Sequence, residues 1–100
     1  MNAVDTRTPG ITESVALLQA AADPVRLSVL RQLAAASACV CDLQAQAPVA
    51  VNLLSYHLKV LKEAGLVTAH RRGRWIDYAL APGALARLHA ALPAGLPGNG

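Results

Sequence analysis

The chain has 100 residues, 54% of them hydrophobic but only 3% aromatic, with no Phe and a net charge of +3. This length supports a single domain, and an apolar set dominated by Ala and Leu favours packed helices over a sheet core. No stretch approaches the ~18 uninterrupted apolar residues of a membrane span, and two cysteines one residue apart make no disulfide framework.

In chain order, residues 1–10 read as a disordered arm ending at Pro9-Gly10. The arm is polar, with Asp5 and Arg7, unlike a secretory leader. Free thiols suit a reducing compartment, so a cytoplasmic protein is expected. A first helix capped by Thr12 carries Val15, Leu18 and Ala22 along one side and ends at Ala22 or Asp23. Asp23-Pro24 is a strong helix start, an acidic cap followed by a proline whose missing N–H costs nothing there. The second helix then runs from Pro24 to about Ala36, with Leu27, Leu30, Leu33 and Ala34 inward. A short third helix is expected from Cys41 to Ala47, stopped by Pro48.

The fourth helix spans Val51 to Ala64, where Val51, Leu54, Leu58 and Leu61 form a buried stripe. Asn52, Ser55, Tyr56, Lys59 and Glu63 project together from the opposite face, and Gly65 ends the helix as a left-handed cap. A hairpin follows: Leu66 to His70, a turn at Arg71-Arg72-Gly73-Arg74, and Trp75 to Leu80 with Ile76, Tyr78 and Leu80 on one side. A last helix, about Pro82 to Leu92, precedes a disordered tail over 93–100. The fold expected over 11–92 is mainly α with a small β-hairpin, a winged helix-turn-helix in the order α-α-α-α-β-β-α.

Charge adds a function to that outline. Five of the nine basic residues (Lys59, Lys62, Arg71, Arg72 and Arg74) lie between positions 59 and 74, with Glu63 the single acid among them. Such a local positive field is the footprint of a surface that meets phosphates, and double-stranded DNA is the partner expected. Asn52, Ser55 and Tyr56 supply the short polar groups that base edges require. Leu18 on the first helix, with Leu85, Leu88 and Leu92 on the last, leaves an apolar stripe that a second copy covers, giving a homodimer. His57 faces away from the polar side and reads as structural and hydrogen-bonded, His70 as facing solvent or phosphate, His89 as a dimer-face or surface residue, and Trp75 as wing packing.

Cys39 and Cys41 are the remaining feature. On a helix turning about 100° per residue, these positions point about 200° apart. Two such thiols grip one ion only where the backbone is irregular or becomes so, which suggests a soft-metal site at a helix start. The plain alternative is two inert small hydrophobes.

Asp23-Pro24-Val25-Arg26-Leu27, the run from Ser55 to Val67 (Ser-Tyr-His-Leu-Lys-Val-Leu-Lys-Glu-Ala-Gly-Leu-Val) and Arg72-Gly73-Arg74-Trp75-Ile76-Asp77-Tyr78 together resemble the ArsR/SmtB family of winged-helix metalloregulatory repressors. Cys39-Val40-Cys41-Asp42-Leu43 is similar to the metal box of that family's arsenic, cadmium and lead responders. The resemblance implies a dimer that represses its own promoter and lets go when the thiols capture an inducer. It departs from the family in four places. Leu43-Gln44 stands where arsenic responders often have a further cysteine, residues 1–38 hold none of the cysteines that cadmium and lead responders add, and His89 lacks the acid-and-histidine pairing of the last-helix zinc, cobalt and nickel site. Ala50-Val51-Asn52 also replaces the usual Ser-Gln-Pro-like start of the recognition helix.

Thiolates select thiophilic ions. Zinc wants four ligands where this pair supplies two, whereas trivalent arsenic or antimony accepts two or three thiolates and a monomethylated arsenical needs only two. Trivalent arsenic or antimony is therefore the expected inducer. The alternatives are a thiol-redox-sensing or cadmium- or lead-responsive repressor and, from another class, a winged-helix protein-interaction module. No Ser/His/Asp spacing, glycine-rich phosphate loop or paired carboxylates speak for an enzyme.

Overall fold

The computed structural model describes residues 10–93. The expected arm and tail therefore lie outside the described residues, save Gly10 and Pro93 at their edges. The elements are α1 (Ile11–Ala21), α2 (Pro24–Ala35), β1 (Ala38–Cys39), α3 (Val40–Gln46), α4 (Val51–Glu63), β2 (Val67–Arg72), β3 (Trp75–Leu80) and α5 (Ala84–Ala90). The helices pack around a leucine-rich core and the strands form one antiparallel sheet in the order β1-β3-β2, so the fold is a winged helix-turn-helix.

Local chemistry sets several boundaries. Asp23 has extended backbone and its Oδ1 accepts from the N–H groups of Val25 (2.8 Å) and Arg26 (3.1 Å), capping α2 with Pro24 at the first helical position. Helix α4 ends at Gly65, whose φ of 77° is open to glycine at little cost. There the N–H of Gly65 donates to Lys62 and that of Leu66 to Leu61, the paired bonds of a Schellman ending. The hairpin closes through Gly73 (φ 64°) and Arg74 alone, with Arg72 opposite Trp75.

The core takes Leu17, Val29, Leu30, Leu33, Leu43, Leu54, Leu58, Leu61 and Leu66, and Tyr78 packs against it from the sheet. Each such leucine contributes about 1.5–3 kcal/mol by leaving water. Three expected inward positions prove otherwise. Val51 is 51% exposed and Leu27 42%, and Ala34 is exposed too. In α1 the buried set is Ser14, Leu17 and Ala20, a side distinct from that of Val15, Leu18 and Ala22.

The hairpin expectation also changes in extent. Arg71 and Arg72 belong to β2 rather than to the turn. The third helix starts one residue early at Val40, and Cys39 enters a two-residue strand paired with β3, Ala38 opposite Tyr78 and Cys39 opposite Asp77. This strand was not expected.

The cap on α2 carries a pH signature. The Asp23 carboxyl is held below its ordinary value of 3.8, chiefly by the hydrogen bond from the Arg26 N–H. A depressed folded pKa stabilises above the unfolded value and is lost as the pH falls through the folded one. Asp23→Asn, which keeps an acceptor oxygen, should therefore flatten the acid limb of the melting-temperature profile below about pH 4, while Asp23→Ala should lower the melting temperature at neutral pH as well.

Candidate nucleic-acid interface and thiol site

Helix α4 presents Asn52, Ser55, Tyr56, Lys59 and Glu63 to solvent, as the residue pattern predicts, and Lys62 is exposed as well. Its other side is fixed by Leu54, Leu58, Leu61 and His57, the last only 7% exposed. Gln44 Nε2 donates to Val49 O at 2.8 Å, tying α3 to the turn that leads into α4.

His57 belongs to a node that joins three helices. The Arg26 guanidinium donates from Nε to Ala20 O (2.6 Å), from Nη2 to Gln19 O (3.4 Å) and from Nη1 to His57 Nδ1 (2.9 Å). Because a guanidinium has only donors, Nδ1 accepts and the ring proton sits on Nε2, 3.9 Å from Asp23 Oδ1. The end of α1, the start of α2 and the middle of α4 thus meet at two side chains. The Tyr56 ring stands edge-on to the imidazole, with centroids 5.3 Å apart. The structural reading of His57 is borne out. The role of Arg26 could not be read from sequence, since its partners lie in other helices.

The wing arginines are not equivalent. Arg71 and Arg74 are exposed. Arg72 makes a two-pronged pair with Asp77, Nε to Oδ2 at 2.8 Å and Nη2 to Oδ1 at 3.3 Å. That hydrogen bond and the Asp77 charge push the Arg72 pKa up, with a smaller contribution from Cys39 nearby. Arg72 is thus committed within the sheet, not free at the hairpin tip as its sequence position suggests.

Cys39 is half-buried and Cys41 exposed, and both are free thiols. Cys39 is not helical: it has extended backbone (φ −85°, ψ 170°) and stands at the cap position of α3, with Cys41 in the first turn beyond it. The opposed geometry of a regular helix therefore does not apply. Both cysteines border one hollow of about 230 Å³, whose other walls are Val40, Arg74, Trp75 and Ile76. Trp75, 54% exposed, lies beside the thiols instead of packing the wing. Among the described residues no group of three or more His, Cys, Asp or Glu side chains could hold a metal ion. Two thiols suit a soft centre of low coordination and fall short of a zinc tetrahedron.

An apolar groove of about 270 Å³ runs between α1, α2 and α5, lined by Leu18, Leu27, Leu85, Leu88 and Leu92 and edged by His89. Leu27, expected inward, joins the outward stripe here. His70 is exposed on β2. Among the described residues no helix is long and apolar enough to cross a membrane.

The node predicts a graded response at position 57. His57→Leu leaves an Arg26 donor without its acceptor and should cost about 1–3 kcal/mol in urea unfolding. His57→Asn, with an oxygen near the Nδ1 position, should recover most of that loss. Equal destabilisation by both would mean that the ring's bulk, not its acceptor, holds α4.

Comparison with known proteins agrees with this architecture. A model of the bacterial regulatory proteins of the arsR family matches residues 23–69. The chain is 44% identical over 72 residues to the HTH-type transcriptional repressor SmtB of Mycobacterium tuberculosis (strain CDC 1551 / Oshkosh), covering 72% of this chain and 53% of that relative. It is 40% identical over 81 residues to a biofilm growth-associated repressor of Agrobacterium fabrum (strain C58 / ATCC 33970), covering 81% and 69%. A crystal structure of a possible transcriptional regulator for arsenical resistance superposes with a TM-score of 0.70 at 40% identity, over 75% of this chain and 78% of that one. The chain spans about half the length of the SmtB relative. By these matches it belongs to the arsR family of bacterial regulatory proteins, which are DNA-binding transcription regulators and not enzymes.

Proposed function

We propose that the chain is a cytoplasmic transcriptional repressor that binds operator DNA as a homodimer and releases it when trivalent arsenic or antimony binds Cys39 and Cys41. The observation that carries this reading is that both thiols border one hollow, between the start of α3 and the strand that follows the hairpin turn. The names of relatives do not choose an inducer, since they range from SmtB to arsenical resistance to biofilm growth. The donor set supports one reading: two thiolates and no further clustered ligand among the described residues favour a trivalent metalloid over zinc, cadmium or lead.

On the DNA side, Asn52, Ser55 and Tyr56 are the candidates for base edges. Lys59, Lys62, Arg71 and Arg74 are the candidates for phosphates, with Arg72 held back by Asp77. The groove lined by Leu18, Leu85, Leu88 and Leu92 supports the dimer, because a second copy placed there removes exposed leucine from water and sets two recognition helices side by side.

Release requires that the inducer bind the weak-binding form more tightly than the DNA-competent one. A hundredfold loss of DNA affinity corresponds to about 2.7 kcal/mol of coupling, within the usual range. The site sits where such coupling is available. Cys39 pairs through its backbone with Asp77, which holds Arg72, and α3 leads directly into α4.

Cys39→Ser and Cys41→Ser should each bind a duplex from the protein's own promoter like the parent and keep it when arsenite is added. A double serine variant that still releases DNA would falsify the thiol site, and release by peroxide but not arsenite would favour the redox reading. In salt titrations, Arg71→Ala and Arg74→Ala should each lower the slope of log affinity against log salt by about 0.9. Arg72→Ala should lower it by clearly less, and an equal drop would show that the pair with Asp77 opens on DNA.

A further inference from the structure

We propose that the thiol site is completed by the wing and takes a trivalent arsenic centre bearing one apolar organic substituent, which lies against Trp75 and Ile76. This rests on the reading of Cys39 and Cys41 as the inducer site and names the class of inducer. A pyramidal trivalent arsenic has three positions. Cys39 and Cys41 supply two, and among the described residues no clustered His, Cys, Asp or Glu completes a set of three. The nearby acid of the sheet, Asp77, is occupied by Arg72.

What faces the thiols is apolar surface: Val40, the Trp75 indole and Ile76, with the Arg74 cation as the polar member of the wall. A hydroxide on arsenic gains little there, and a divalent cation finds too few donors. A carbon substituent does better. The bis-thiolate adduct of a mono-organyl arsenic is neutral and coordinatively complete, and its substituent leaves water against an aromatic face. Space is sufficient, since the hollow measures about 230 Å³ and an apolar cavity of roughly 150 Å³ holds a benzene ring.

The chemistry is ligand exchange without redox. Two As–S bonds form as two As–OH bonds break, the thiol protons leave with the hydroxides as two waters, and arsenic stays trivalent. The same reading gives Trp75 a reason to stand exposed on a hairpin whose other exposed side chains are mostly charged.

Phenylarsine oxide, methylarsonous acid and arsenite serve as probes on the full-length protein, in competition with dithiothreitol, which corrects for the preference of any dithiol. The parent should favour phenyl over methyl by about tenfold beyond dithiothreitol, roughly 1.4 kcal/mol. The phenyl adduct should show one arsenic per chain by mass and quench the single tryptophan. Trp75→Ala removes a largely exposed side chain, so it should fold and still form the adduct, with the phenyl preference gone. If the preference is absent in the parent or unchanged in Trp75→Ala, the wing does not receive the substituent and this inference is overturned. An adduct lost in Cys39→Ser would in that case leave the thiol reading intact. If none of the three probes forms an adduct that needs both cysteines, the thiol reading fails and this inference falls with it.

Discussion

Helix α4 is anchored along a single line of side chains, Leu54, His57, Leu58 and Leu61, and every group it shows to solvent depends on that line staying in place. A helix with only one face to hold it is free to roll unless something other than interchangeable leucines fixes its angle. Leucine contacts tolerate small rotations, because apolar packing is non-directional. The Arg26 to His57 hydrogen bond is directional, and Arg26 is itself held by two carbonyls at the end of α1. The polar contact sets the roll and the leucines supply the adhesion. At the far end, Arg87 Nη2 donates to Gly65 O at 2.6 Å, so α5 grips the helix just past its last turn.

Much of this was legible in the sequence wherever one stretch of chain carries its own cause. The Asp23-Pro24 start, the Gly65 ending and the polar face of α4 need nothing from elsewhere, and all are found. The phase of the outer helices was not legible, for a physical reason. Helices α1, α2 and α5 each carry two apolar sides, one toward the core and one toward the groove. In α1 the inward side includes Ser14, small enough to pack and too polar to be chosen from a pattern. Leu27 was read as inward by hydrophobicity alone, which cannot tell a core from an exposed apolar groove.

Strand β1 escaped for a different reason. Two residues have no periodicity, and their pairing is decided by β3, almost 40 positions later. Its existence changes the meaning of Cys39-Val40-Cys41. Read as helix, the thiols point apart; as the junction of a strand and a helix, they border one hollow with no unwinding. The same register puts Asp77 between Cys39 on one side and His70 on the other. It also explains why Arg72, apparently one of a run of free cations, is engaged. The cysteine pair itself was plain from the sequence; its neighbours Arg74, Trp75 and Ile76 were visible as residues but not as walls.

The sheet has a further property that follows from its order. With β3 in the centre, β1 and β2 are both open edges, and an open edge is a template for pairing with foreign strands. Here β1 is two residues long and runs straight into α3, leaving too little extended backbone to recruit a partner. The outer rim of β2 carries Arg71 and Arg72, both exposed, and cationic side chains on an edge oppose strand addition. The positive charge that makes this hairpin suited to a phosphate backbone therefore also protects a small, aromatic-poor domain from self-association through its sheet.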